Sequence, residues 1–181
     1  MRNLDRLASP TLYWTLPTLF LLHDAEELVT MPAWVAEHHE VLEAALSTLG
    51  LERLAAALPV TTAQMAWAIA VIAVIFLVVT AGIVARPHSA AWRALYGGLL
   101  GVFLLHAGTH VAQTLWFGAY TPGVVTAVLL VAPGSLLLGR RLLRLGAIGL
   151  VPSVVTSCAA LPLFPLAAAL AFEISAWLTA L

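Results

Sequence analysis

A chain of 181 residues in which 62% are hydrophobic and only 9% charged, with a mean hydropathy of +1.00, is not built like a water-soluble domain. Its net charge of −1 and the lack of a clustered basic run exclude nucleic-acid binding, which needs a concentrated positive surface. The single cysteine, Cys158, excludes a disulfide within the chain and a thiolate-held cluster, and its apolar neighbours read as the surroundings of a small buried packing residue.

The expected fold is all-α: one polytopic transmembrane helical bundle over residues 1–181, with about five spans of roughly 20 apolar residues each. The first runs from about Leu7 to Leu28. Arg2 and Arg6 precede it, but no small-residue cleavage site follows, so it reads as a retained helix rather than a secretory leader. The passage from Leu42 to Leu58 carries Glu43, Glu52 and Arg53 on one side and reads as a short amphipathic helix, or helix pair, at the interface. The second span covers about Thr62 to Val84 and the third about Ala94 to Phe117. A fourth, from about Gly123 to Leu143, is interrupted by Pro133. Gly146 to Ser157 reads as a loop or partly re-entrant piece, and the last span as about Ala159 to Leu181, within a segment holding Pro152, Pro162 and Pro165. With the N-terminus cytoplasmic, Arg2, Arg6, Arg86, Arg93, Arg140, Arg141 and Arg144 fall inside, only Arg53 falls outside, and the C-terminus lies outside.

Against this background the informative residues are the polar ones. At the end of the first span, His23, Glu26 and Glu27 are spaced to share neighbouring parts of one helix face. In the third span His106 and His110 stand one turn apart and Gln113 continues their stripe, while Ala107 and Gly108 leave room for a close helix approach. The last span contributes Glu173, an isolated carboxylate among apolar residues; such a group costs roughly 3 kcal/mol at mid-membrane and is a functional candidate. At about 1.5 Å per residue, His23 lies roughly 24 Å along its span, His106 and His110 roughly 18 and 24 Å, and Glu173 roughly 21 Å, so the groups share one depth.

Imidazole nitrogen with carboxylate oxygen is the donor set of zinc and of non-haem iron or manganese, and the missing thiolates argue against copper(I) and iron–sulfur chemistry. The metal ligands expected are His23, Glu26, Glu27, His106, His110 and Glu173, around one divalent transition ion or a carboxylate-bridged pair. Glu26 or Glu27 is then the catalytic base or a support to the ligands.

The pattern His23, Glu26, Glu27 near the end of the first helix, with His106 and His110 in a later one, resembles the HXXEE family of small integral-membrane proteins. That resemblance implies a metal-binding or enzymatic role and supplies no substrate or reaction.

Elsewhere, Glu37, His38, His39 and Glu40 beyond Pro32 read as a solvated face, or else a lid or a second site. Most of the six tryptophans fall near span ends, where indoles anchor at an interface. The function that accounts for these features is a metal-dependent membrane enzyme, an oxidoreductase or hydrolase, activating water or dioxygen on a lipid or isoprenoid-like substrate. The alternatives are a proton or metal-ion relay and a metal-free isomerase or cyclase using a glutamic acid. An enzyme needs an open cavity, expected between the first, third and last spans.

Overall fold

The structure, a computed structural model, describes residues 9–48, 50–56, 58 and 60–179. Arg2 and Arg6, the expected start of the first span at Leu7 and the expected end of the last at Leu181 lie outside the described residues, as does the side chain of Arg53. Every regular element described is helical: α1 Pro10–Thr48, the single turn α2 Glu52–Ala55, α3 Thr62–Ala85, α4 Ala90–Phe117, the short α5 Val124–Thr126, a π-helical stretch Ala127–Val131, α6 Ala132–Arg144, α7 Leu150–Ala160 and α8 Leu163–Thr179.

Among the described residues, three helical segments are long and apolar enough to cross a membrane: α3, α4 and the continuous run Val124–Arg144. Their outward sides are apolar as well; Val74, Leu77 and Val78 on α3 and Leu129, Leu136 and Leu137 on the last run are exposed. So much contiguous apolar surface makes a membrane location plausible.

α1 buries a stripe of residues three and four apart, Tyr13, Leu16, Pro17, Phe20, His23, Asp24 and Glu27. It packs on α4 with a constant register: Tyr13 meets Tyr96, Phe20 meets Phe103 and His23 meets His106, each pair 83 positions apart. The two helices therefore run parallel. Pro17 cannot donate to the Tyr13 carbonyl one turn back, and the Tyr96 hydroxyl supplies that hydrogen bond instead, at 2.8 Å. Beneath His23 lies an aromatic floor in which Phe20 stacks on Phe76 of α3 at 4.2 Å and Phe76 meets Phe103 edge-on.

α1 runs on past Leu28, the expected end of the first span, through Pro32 to Thr48. Beyond Pro32 its aromatic residues have packing partners: His38 stacks on Trp34 at 4.4 Å, and both rings meet Phe117 edge-on. The amphipathic passage is thus the end of α1 followed, after Gly50, by the one turn of α2. Glu37, His39 and Glu40 are exposed, as a solvated face requires.

The segment from Gly146 to Ser157 is not a loop throughout. Pro152 falls in the first turn of a helix, where no N–H is needed, and α7 forms from Leu150. α7 lies along α4 at a stripe of glycines: a Cβ on Gly97, Gly98 or Gly101 would collide with Ser153, Thr156 or Ser157 respectively. The Ser157 hydroxyl also donates to the Gly98 carbonyl at 3.1 Å. Close approach is thus a property of these glycines and not of Gly108, beside which nothing lies within 4 Å. Cys158, one residue past the packed Ser157, turns away from α4 and is exposed rather than buried.

The π-helical stretch precedes Pro133, which lacks the N–H that an α-helix would require there. Arg93 near the start of α4 donates to the carbonyls of Gly146 and Ala147, which gathers the loop after α6 at the same end as the α3–α4 turn.

Candidate metal centre

His23 on α1 and His106 and His110 on α4 lie on facing stripes, and the parallel register brings them to one level. Their Nε2 atoms form a triangle with edges of 3.3 Å (His23–His106), 3.2 Å (His23–His110) and 3.0 Å (His106–His110). Glu27, one turn beyond His23, brings Oε1 to 3.2 Å from the His110 Nε2 and 4.0 Å from the His23 Nε2. All four ligand atoms lie within 4.8 Å of one another. His23, Glu27 and His110 are buried.

The far sides of two rings fix which nitrogen carries the proton. Nδ1 of His110 is 2.8 Å from the Pro122 carbonyl, which only accepts, so Nδ1 is the donor. Nδ1 of His23 is 2.8 Å from the Thr126 hydroxyl. Thr126 directs its own proton to Glu26 Oε2 at 2.6 Å, leaving its oxygen to accept from His23. In the neutral rings Nε2 of both histidines is then a bare lone pair turned toward its neighbours.

Glu26 sits off the buried stripe and turns to the loop between α4 and α5. Its carboxylate takes the backbone N–H of Thr126 at 2.7 Å, that of Val125 at 3.3 Å and the Tyr120 hydroxyl at 2.8 Å. It thereby caps the first turn of the following helix from outside. Partial burial, aided by the Glu26 carboxylate, holds the Tyr120 phenol above its usual range, so it remains a donor. Gly123, at φ +83°, lies directly against the rings: a Cβ there would be 2.7 Å from Cε1 of His110 and 3.0 Å from Cε1 of His23.

Of the six residues expected from sequence, then, His23, Glu27, His106 and His110 come together. Glu26 acts on His23 through Thr126. Glu173 is exposed on α8 and is not one of the four. Sequence reasoning did not single out Thr126, Tyr120 or the Pro122 carbonyl, which lie in and beside a loop and carry no motif. It also passed over Asp24, although this buried residue shares the stripe of Phe20 and Glu27.

A cavity of about 230 Å³ opens on one side of the cluster between α1, α3 and α4. Asp24, Glu27, His106 and His110 are its polar lining together with Gln113, and Ile72, Phe76 and Phe103 belong to its apolar wall. His23 and Glu26 do not line it, and α8 reaches it through Phe172.

An all-helical bundle with a buried three-histidine, one-carboxylate cluster facing an apolar cavity defines the class. A family described as protein of unknown function with HXXEE motif matches residues 14–138, which include every group of the cluster and of the loop behind it. The chain belongs to this HXXEE family. No curated protein and no solved structure matches it.

Proposed function

We propose that this protein is an integral membrane metalloenzyme in which His23, His106, His110 and Glu27 hold one divalent transition ion, zinc, iron or manganese, beside a cavity for a hydrophobic substrate. The observation that carries the reading is the meeting of three Nε2 atoms at 3.0–3.3 Å, with the lone pairs of His23 and His110 turned inward. Two bare lone pairs 3.2 Å apart, those of His23 and His110, repel unless a proton or a metal cation lies between them. Ligands about 2.0 Å from a tetrahedral ion stand about 3.3 Å apart, close to the observed edges.

One ion is favoured over a bridged pair, because Glu26 is committed to the loop. Glu27, His106 and His110 face the cavity while His23 stands behind them, which leaves the cavity side for substrate. The ion would supply Lewis acidity for activating water or dioxygen. Glu27, at the cavity wall, is the group able to take or give a proton there. The apolar walls keep bulk water out and suit a lipid or isoprenoid-like chain. They also favour an enzyme over an ion relay, which needs polar groups continuing away from the cluster.

The test is elemental analysis of protein purified in mild detergent. About one zinc, iron or manganese per chain is expected, and it should be lost from a His106→Ala, His110→Ala double variant. Equal metal in the two proteins would leave the cluster as an acid–base or packing device.

A further inference from the structure

Oδ2 of Asp24 has no hydrogen-bond partner among the described residues, although Asp24 is only 7% exposed. A buried polar atom without a partner in a native fold calls for a specific explanation, and a bound molecule is one. Asp24 lines the cavity on the same wall as Glu27, one turn away. The cavity does not end there. Through Met31, Gln113 and Phe172 it shares its lining with a second apolar groove of about 740 Å³, which runs beneath the outer part of α1 past Trp34, Leu42 and Leu46. Together these spaces exceed what a compact polar ligand fills and suit a long chain with one polar end.

The charge of the wall selects that end. Placed directly on Oδ2, a carboxylate or phosphate head would set one anion against another in an apolar enclosure. A plain hydrocarbon would leave Oδ2 without a partner. A hydroxyl both donates and accepts, so it meets Oδ2 whether or not Asp24 carries a proton.

We infer that the cavity binds an uncharged long-chain alcohol, its hydroxyl on Asp24 beside the His/Glu cluster and its chain extending into the groove beneath α1. The inference rests on the reading of the cavity as the substrate side of the cluster. It does not require the ion itself.

The experiment uses the full chain in lipid nanodiscs and a diazirine-bearing hexadecanol, with metal content measured on the same samples. Labelling should be saturable, map to residues lining the cavity or groove, and be competed by hexadecanol but not by hexadecane or hexadecanoate. Asp24→Leu should weaken competition by about tenfold, as loss of a buried hydrogen bond to a charged or strongly polar group does, while Asp24→Asn stays within about threefold. An Asp24→Leu protein that is monodisperse and binds the alcohol as tightly as wild type would overturn the inference. So would equal competition by hexadecanoate, which needs no variant at all. Ile72→Trp, which fills the cavity, should abolish labelling, and persistent labelling would likewise overturn it. Labelling of a wild type that holds no metal would uphold the alcohol site and remove the metal. Metal without competable labelling would remove the alcohol site alone.

Discussion

Thr126 gives its hydroxyl proton to Glu26 across 2.6 Å, and so accepts from His23 on the other side at 2.8 Å. Carboxylate, hydroxyl and imidazole form a chain that orients the His23 ring and makes its Nε2 a better donor to an ion. Removing such a supporting partner typically costs 10–100-fold in metal affinity, and Thr126→Val, nearly the same shape, is expected to lie within about that range. Titration against a competing chelator measures it. Unchanged affinity would mean that the chain does not govern His23.

Gly123 separates backbone cost from site cost. Gly123→Ala meets a positive φ of 83° and two histidine rings, whereas Gly118→Ala meets a φ of 62° with nothing within 4 Å. Both should lower the melting temperature, since a non-glycine residue in the left-handed region costs about 1–3 kcal/mol. Only Gly123→Ala should also lose metal, because its methyl group displaces the ligands. Retained metal in that variant would show that the rings give way without consequence.

The α4–α7 contact supplies a matched pair of a different kind. Gly98→Val drives a branched side chain into Thr156 and should destabilise by about 1–3 kcal/mol, while Gly108→Val enters open space and should not. Thermal unfolding in detergent compares them. Equal melting temperatures would argue that α7 is not seated on α4.

The orientation assigned from the arginines is tested by labelling cysteines in a Cys158→Ser background, needed because Cys158 is itself exposed. A cysteine at Ser47, near the end of α1, should react from outside and one at Ser89, before α4, from inside. Reaction of both from one side would remove a crossing from the expected count.

Periodicity made much of the site readable in advance. His23 and Glu27 continue the stripe of Tyr13, Leu16 and Phe20, and His106 and His110 continue that of Phe103. What periodicity cannot do is choose between neighbours. Glu26 and Glu27 point about 100° apart, and only the position of the 120–126 loop decides that Glu26 is claimed there while Glu27 turns to the histidines. The run of α1 through Pro32 and the formation of α7 at Pro152 both depend on partners and first-turn placement that a count of apolar residues does not register.

The constant offset of 83 residues between α1 and its partner positions on α4 also bears on how the chain is assembled. During synthesis α1 emerges first, carrying His23, Asp24 and Glu27 on the face that will be buried, and α4 does not yet exist to meet them. In a bilayer, acidic side chains such as these weigh against insertion until they find partners. The partners of His23 and Glu27, His106 and His110, therefore arrive only with α4. The histidine triangle cannot form before both helices are present.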